Sequence, residues 1–452
     1  MSRITLKQAA EWCGGRVEEK YENVTFYGAN NDSRNLLPGQ LFVALLGARD
    51  GHDFVPAALE RGAAAVLCNH CDGDYPAIVV EDTRKALGDI ARGERQRIGM
   101  KVVGVTGSVG KSTTKEMIAC VLETTYRTGK SPVNHNNDLG LPMAILALPE
   151  NTQVAVLEMG MNHFREIAYL SNIAHPDIAV IVNIGTTHME YLGSQQGIRK
   201  AKMEIVEGMD SKGLLLLNGD DVLLRHLDSQ PEQRITYFGR TDGCPVQAHD
   251  ICQDGDVLRF RVQAGRLSFP VELNLEGEHF VIDAMAAIAV GLKMAVPVEK
   301  IVSSLAAFRP MSGRQEIFQK NGYTIIKDCY NAGPESMAAA LSVLGNRPGR
   351  RIAVLGDMLE LGDAAWAEHY KIGRIAAEKA DMVFAYGPHS GRVLSGTITG
   401  GMPETMGRAF EDRDELVQAL KWAAKPGDVM LFKASHGMHL EKVLEDFLKE
   451  EK

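Results

Sequence analysis

Cysteines are few and scattered in this 452-residue chain, and long apolar runs are missing. Seven cysteines are an odd number spread over a long sequence, which predicts reduced thiols rather than a disulfide framework. Cys68 and Cys71 have the spacing of a zinc or redox pair, but no second pair follows, so a structural role is favoured. Neither a membrane-spanning run nor a signal-peptide core is present, so we expect a cytoplasmic protein without membrane insertion.

Positive charge is also in short supply. Lysine and arginine total 49 against 58 aspartates and glutamates, which gives a net charge of -9. A general attraction for nucleic acid is therefore not expected, and an anionic substrate must be held by local cations and helix ends. The chain is 45% hydrophobic and 24% charged, as in folded globular proteins, and it is too long for one core.

Strand-like and helix-like segments alternate along most of the sequence, which predicts an α/β fold. We expect three α/β domains, at residues 1–99, 100–310 and 311–452, the central one with a mostly parallel sheet and the last Rossmann-like. A polar stretch at 93–99 predicts the first linker. Short alternating strands with Gly and Asp turns predict an antiparallel insertion at 234–275.

The stretch Val103–Thr114 has the features of a phosphate-binding loop. A β-branched run ends in a glycine-rich turn, and a helix-compatible segment with a lysine and a serine follows. Small residues allow backbone N–H groups to surround phosphate oxygens, while the lysine supplies a cation and the serine hydroxyl a magnesium ligand. The strict Walker A pattern has glycine where this chain has Val105, so the turn is a shorter form. The loop residues are Gly107, Ser108, Val109, Gly110, Lys111, Ser112 and Thr113.

Two further polar residues follow predicted strands. Glu158 ends one apolar run and His188 comes soon after another. Ligands gather at the carboxyl ends of strands in an open parallel sheet, so both residues are expected near the phosphate loop. For Glu158 a metal role is favoured over capping of the next helix. For His188 a structural role and a ligand role stay equally open.

Ten sequence strings, in this order along nearly the whole chain, resemble the Mur ligases of peptidoglycan synthesis. Within that family the chain is most similar to the branch that adds D-alanyl-D-alanine to UDP-N-acetylmuramoyl-tripeptide. The strings lie at Asn31–Phe54, Thr106–Met117, Asn134–Leu146, Leu157–Ile167, Asn183–Ser194, Ala201–Ile205, Gly277–Ala287, Asp328–Met337, Val354–Gly362 and Lys433–Val443.

The resemblance implies an ATP-dependent ligase that uses Mg²⁺ and small-molecule substrates. ATP would convert a substrate carboxylate to an acyl phosphate, which the dipeptide amine then attacks. Lys111 and the loop backbone would hold the ATP phosphates, Ser112 and Glu158 one magnesium ion, and His188 a second. Lys202 would be carbamylated beside that second ion, although by itself a lysine between Lys200 and Glu204 is typical of a solvated helix face.

The resemblance also assigns residues of the outer domains. Ser33 and Arg34 belong to the motif that contacts the uridine nucleotide in the N-terminal domain, although a plain turn would read the same way. Asn136 and Asn137 are expected to reach the sugar nucleotide. The residues expected near ATP are Asp283, Arg314, Asp328, Tyr330 and Asn331. The residues expected to face the dipeptide or phosphate are Lys433, Ser435 and His436.

The chain departs from the family pattern at five of its positions. Phe280 and Asp283 stand where the family commonly has asparagines that approach adenine; Phe280 cannot form an amide hydrogen bond, whereas Asp283 can accept one. The other departures are Lys327, Gly333 and His436.

Three rival functions remain at this point. A folylpolyglutamate-type or other amino-acid ligase is the nearest, but the Ser33 and Arg34 motif favours a uridine nucleotide. A switch NTPase is disfavoured by the two further domains. An inactive binding module is disfavoured by the intact residues Lys111, Ser112, Glu158, His188 and Lys202. The sequence leaves open whether the tripeptide ends in lysine or diaminopimelate, and we expect a monomer.

Overall fold

The computed structural model describes residues 3–449. By its internal contacts the chain divides into two compact units. The first unit comprises residues 1–182, 199–247 and 283–305, and the second comprises 183–198, 248–282 and 306–452. No helix within the described residues is both long and apolar enough to span a membrane.

The N-terminal part of the first unit has a four-stranded parallel sheet in the order β3-β4-β5-β6, and β1 pairs antiparallel with β2. Buried residues such as Phe42 and Val66 fill the core on this sheet. Its strands are β1 Ile4–Thr5, β2 Thr25–Phe26, β3 Ala29–Asn30, β4 Leu41–Val43, β5 Ala65–Cys68 and β6 Ala77–Val79. Its helices are α1 Leu6–Cys13, α2 Val55–Glu60 and α3 Thr83–Ile98.

The rest of the first unit is a parallel sheet in the order β12-β11-β10-β7-β9-β8. Its strands are β7 Lys101–Thr106, β8 Thr128–Lys130, β9 Val154–Glu158, β10 Ile178–Ile181, β11 Leu214–Asn218 and β12 Arg234–Gly239. The helices between β7 and the strands of the last sheet are α4 Lys111–Glu123, α5 Gly140–Leu146, α6 Glu166–Ala174, α7 Met189–Leu192, α8 Gln195–Met203, α9 Val222–Arg225, α10 Phe280–Lys293 and α11 Val298–Ala307. Of these, α7 belongs to the second unit, and α8, α10 and α11 include residues of both units.

Three strands lie between β12 and α10: β13 Val246–Asp254, β14 Val257–Ala264 and β15 Leu267–Leu273. The prediction of an antiparallel insertion at 234–275 is only half right. The hairpin of β14 and β15 is antiparallel, but β12 runs parallel to β11, and the start of β13 runs parallel to β12. Alternating polarity identifies a half-exposed strand and does not report the direction of its neighbour.

The second unit contains a six-stranded sheet in the order β16-β17-β21-β18-β19-β20, parallel except for the pair β16 and β17. Apolar clusters cover both of its faces. Its strands are β16 Glu316–Lys320, β17 Tyr323–Asp328, β18 Arg351–Gly356, β19 Met382–Tyr386, β20 Gly407–Phe410 and β21 Val429–Lys433. Its helices are α12 Pro334–Asn346, α13 Ala365–Lys379, α14 Ser390–Thr399, α15 Arg413–Ala423 and α16 Leu440–Leu448.

The predicted α/β class with mostly parallel sheets is confirmed, whereas the predicted linker at 93–99 is wrong. Residues 93–98 form the last turns of α3, which begins after an Asp82 side-chain cap. Gly93 is buried there, and a Cβ atom at this position would clash with the Trp12 ring, so the close packing requires glycine. A glycine chosen for close helix packing cannot be distinguished from a linker glycine by composition alone.

Candidate active site

The phosphate loop connects the end of β7 at Thr106 to the start of α4 at Lys111. Gly110 has φ 84°, in the left-handed region that favours glycine. A Cβ atom there would also lie 2.7 Å from Asp283 Oδ1, so glycine is required for both conformation and space. The loop thus ends at a helix N-terminus, a position at which backbone N–H groups and the helix dipole favour an anion.

Lys111 folds over this loop. Its Nζ donates to the carbonyl oxygens of Gly107, at 2.9 Å, and Ser108, at 3.2 Å. A lysine held above the turn brings a positive charge to the same point as the helix end. The turn, the lysine and the helix end thus lie together, and phosphate binding by residues 107–113 stays a prediction.

Ser112 and Glu158 meet beside the loop. Both side chains are buried, and the Ser112 hydroxyl donates to Glu158 Oε2 at 2.5 Å. Asn136 Nδ2 donates to Glu158 Oε1 at 2.9 Å, so both carboxylate oxygens have partners. The predicted proximity of Glu158 to the loop follows from the strand pairing, because Val105 of β7 lies opposite Glu158 of β9.

This oxygen-rich set fits Mg²⁺ better than a transition metal. Magnesium uses one or two carboxylates together with substrate phosphates and water, whereas zinc and iron require several nitrogen or sulfur ligands. In the part of the chain that the structure describes, no group of three or more His, Cys, Asp or Glu residues could hold a metal ion. Ser112 and Glu158 therefore suit an ion that arrives with a phosphate ligand.

Asp283 lies against the same loop. Its side chain is buried, and Oδ1 accepts a hydrogen bond from the Thr114 hydroxyl at 2.6 Å. The predicted adenine contact of Asp283 stays a prediction, and the structure adds a link to helix α4 that sequence reasoning missed. The sequence separation of 169 residues left no local signal for this contact.

Lys202 does not lie on a solvated face. Only 2% of the residue is exposed, which contradicts the reading of this part of α8 as a polar surface at that position. Burial, with a smaller contribution from the nearby Lys111 cation, lowers the pKa of Lys202 well below its usual value. Its amine forms no hydrogen bond or ion pair with residues 3–449. A buried amine with a low pKa and a cation nearby favours the neutral, nucleophilic form.

The N-terminal candidates lie beyond the carboxyl end of β3. The Arg34 side chain is 86% exposed, and its guanidinium pairs with Asp32 at 2.9 Å. Ser33 is half-buried in the same turn. Asn137 already has a structural task, because its Oδ1 accepts from Gly140 N at 2.8 Å at the start of α5. A substrate contact for Asn137 is therefore left to its amide nitrogen.

In the second unit, the candidate residues gather at the carboxyl ends of β17 and β21. Asp328 and Lys433 are opposite each other in these parallel strands, and Lys433 Nζ donates to Asp328 Oδ2 at 2.6 Å. Lys433 is buried and also donates to Asn331 O at 3.0 Å. This ion pair was not predicted, because sequence reasoning assigned Lys433 to the dipeptide or phosphate and Asp328 to ATP.

Other candidate residues of the second unit also form defined side-chain contacts. The Arg314 guanidinium lies 3.8 Å from the centre of the Tyr330 ring, a cation–π contact. The buried Ser435 accepts from Leu359 N at 2.9 Å and donates to Ala332 O at 3.3 Å.

His188 lies in the second unit in a strained conformation. Its φ is 66°, and its Nδ1 lies 2.7 Å from Glu360 Oε2, whose residue also has a positive φ, 62°. Left-handed backbone at two residues that are not glycine is uncommon and concentrates at functional sites. The metal role of His188 stays a prediction.

Family models match three successive parts of the chain. The model described as Mur ligase family, catalytic domain, matches residues 25–95, and the Mur ligase middle domain matches residues 105–291. The model described as Mur ligase, glutamate ligase domain, matches residues 313–436.

Relatives of known name cover the whole chain. The UDP-N-acetylmuramoyl-tripeptide--D-alanyl-D-alanine ligase of Bacillus subtilis is 40% identical over 99% of both chains. A crystal structure of MurF from Acinetobacter baumannii is 33% identical, covers 100% of both chains and has a TM-score of 0.91. The MurF ligase of Thermotoga maritima in complex with ADP is 30% identical, covers 94% of this chain and 97% of its own, and has a TM-score of 0.83.

Replacing the buried lysine gives a test of its environment. Burial lowers the pKa of Lys202 in the folded protein, so folding at pH values between the folded and unfolded pKa requires loss of a proton. This cost to stability shrinks as pH rises toward the unfolded pKa of about 10.4. We expect Lys202→Met to raise the free energy of unfolding at pH 7 and to raise it less at pH 9.5, measured by urea denaturation in buffers free of carbon dioxide.

The matched control is Lys200→Met, which changes an exposed lysine of the same helix. It should leave the pH dependence of the unfolding free energy unaltered. A stability change in Lys202→Met that is the same at both pH values would contradict the lowered pKa.

Proposed function

The chain belongs to the Mur ligase family, and we propose that it joins D-alanyl-D-alanine to UDP-N-acetylmuramoyl-tripeptide in peptidoglycan precursor synthesis. ATP is converted to ADP and phosphate in this reaction. The observation that supports it most strongly is the phosphate loop with Lys111 and Ser112 beside Glu158. It occurs in a chain that is 40% identical to a ligase of that name over its whole length.

The reaction has a chemical obstacle that explains the form of the site. A carboxylate is a poor acyl donor, so its oxygen first attacks the γ-phosphorus of ATP, and ADP leaves. The dipeptide amine then attacks the acyl phosphate carbon, the tetrahedral intermediate expels phosphate, and an amide bond is formed. Because no protein nucleophile is required, catalysis depends on positioning and on stabilisation of charge.

The residues around the phosphate loop supply that stabilisation. Lys111 leaves the Gly107 and Ser108 carbonyls to pair with the phosphates, and the N-terminus of α4 adds backbone donors. Ser112 and Glu158 would hold Mg²⁺, which neutralises phosphate charge when it is bound. Asn136 donates to Oε1 of Glu158, the oxygen that Ser112 does not contact, and so keeps the Glu158 side chain oriented toward Ser112.

Lys202 is proposed to work as a carbamate. A neutral amine attacks carbon dioxide and loses a proton, which converts a buried nitrogen base into a carboxylate-like group. The low pKa of Lys202 and its lack of a partner among the described residues support this step. A negative group there would also pair with the nearby Lys111 cation. The Lys202 carbamate and His188 are each proposed as magnesium ligands.

The carbamate proposal can be tested by chemical rescue. We expect Lys202→Ala to lower kcat by about 10²-fold or more, because a charged group at the reacting phosphate is lost. A short-chain carboxylate should restore part of this activity, and added bicarbonate should not. The proposal fails if no carboxylate concentration restores activity while the wild-type rate is also insensitive to removal of bicarbonate.

The remaining assignments follow the family resemblance and are proposals for this chain. Ser33 and Arg34 would bind the uridine nucleotide, and Asn136 and Asn137 the sugar nucleotide. By the family resemblance, the residues proposed to contact ATP are Asp283, Arg314, Asp328, Tyr330 and Asn331. Lys433 and Ser435 would bind the dipeptide or phosphate. We also propose domain boundaries at 99/100 and 310/311, a cytoplasmic location and a monomer.

A substrate-omission assay tests the function directly. Purified protein receives ATP, magnesium, UDP-N-acetylmuramoyl-tripeptide and D-alanyl-D-alanine, and each component is left out in turn. We expect phosphate release and a new amide product only in the complete mixture, measured by a phosphate assay and mass spectrometry. A rival ligase of the folylpolyglutamate type would add glutamate, so L-glutamate replaces the dipeptide in a control reaction. We expect no amide product in that control. Phosphate release without the dipeptide would contradict the ligase assignment.

A further inference from the structure

Lys115 is a completely buried lysine on helix α4, one turn beyond Lys111. Its relative exposure is 0%, and an ammonium group buried without partners costs several kcal/mol. The structure supplies two partners. Nζ donates to the carbonyl oxygen of Ser131 at 2.7 Å and lies 3.1 Å from Glu116 Oε1.

Ser131, directly after β8, connects this lysine to the proposed magnesium ligand. Its residue exposure is 1%, and its N–H donates to Val156 O of β9 at 3.1 Å. Its hydroxyl accepts from the backbone N–H of Glu158 at 3.0 Å. The residue that receives the Lys115 ammonium on its carbonyl therefore holds the Glu158 backbone with its hydroxyl.

The segment that follows Ser131 returns to Glu158 a second time. At Asn136 the side-chain amide donates to Glu158 Oε1, and the Asn136 carbonyl accepts from Gly160 N at 2.7 Å. The segment 131–136 thus contacts both the backbone and the carboxylate of Glu158. Lys115, which donates to the first residue of this segment, is a buried basic side chain.

We infer that Lys115 is a positioning residue for Glu158. Its ammonium fixes the segment 131–136, which in turn holds the Glu158 carboxylate toward Ser112. The inference rests on the proposed function, because it assumes that Ser112 and Glu158 bind magnesium with the nucleotide. Partners behind a metal ligand typically change metal affinity by 10- to 100-fold when removed.

Glu116 provides a matched control within the same cluster. Its Oε2 pairs at 2.6 Å with Lys130, whose side chain is 39% exposed, whereas the Ser131 carbonyl receives its hydrogen bond from Lys115. Exposed ion pairs of this kind contribute little to stability. Lys130→Met therefore removes a lysine from the same carboxylate without disturbing the link to Glu158.

The experiment measures how much magnesium strengthens ADP binding. Isothermal titration calorimetry gives the Kd of ADP with magnesium and with a chelator. The Kd with the chelator divided by the Kd with magnesium isolates the metal contribution. We expect Lys115→Met to reduce this ratio about tenfold while the chelator Kd changes less than twofold. Lys130→Met should leave both values unchanged.

A second variant keeps the test independent of folding problems in Lys115→Met. Ser131→Ala removes only the hydroxyl that holds the Glu158 backbone, and it should reduce the ratio in the same direction. The double variant should reduce it no further than Lys115→Met alone, because both residues act along one path.

The outcomes separate the inference from its premise. If Lys115→Met lowers the melting temperature but keeps the wild-type ratio, Lys115 only fills space and the inference is wrong. A wild-type ratio in Ser131→Ala would also overturn it. If Glu158→Ala keeps the wild-type ratio, the proposed magnesium role of Glu158 is the part that fails.

Discussion

The pairing of β7 with β9 is the constraint on which the proposed ATP site depends. The two strands are parallel, and their register places Val105 beside Glu158. The phosphate loop leaves the sheet directly after β7, so Ser112 on the first turn of α4 reaches the Glu158 carboxylate at 2.5 Å. A shift of one residue would turn Glu158 to the opposite face of the sheet, and the phosphate loop would lose its acid.

Two buried lysines near the phosphate loop differ in the groups that surround their amines. Lys115 and Lys202 are both lysines with almost no exposure, but they have opposite environments. The Lys115 amine contacts a carbonyl oxygen and a carboxylate, and these two contacts fix its position. Lys202 has a cation nearby and a lowered pKa, so it is suited to reaction as a free amine. The proposed roles of the two lysines, positioning for Lys115 and chemistry for Lys202, thus follow from their different neighbours.

Much of the fold and the core of the site could be predicted from the sequence, because local patterns encode them. The loop residues 107–113 and Glu158 follow apolar runs that end in polar residues, and parallel sheets bring such ends together. Contacts between distant segments carry no such signal. The Asp328–Lys433 ion pair, the Asp283–Thr114 hydrogen bond and the burial of Lys202 depend on strand order and helix packing. The contact of Gly93 with the distant Trp12 likewise leaves no local pattern, so the sequence predicts a linker where the structure has a buried helix glycine.

The central claim is that this site holds ATP for attack by a substrate carboxylate, and oxygen isotope transfer tests it most directly. The terminal carboxylate of UDP-N-acetylmuramoyl-tripeptide is labelled with oxygen-18, and the phosphate released in the complete reaction is analysed by mass spectrometry. An acyl phosphate carries one carboxylate oxygen into the phosphate when the amine displaces it. We expect one labelled oxygen in each phosphate when both carboxylate oxygens are labelled. Phosphate without label, formed together with the amide product, would contradict it.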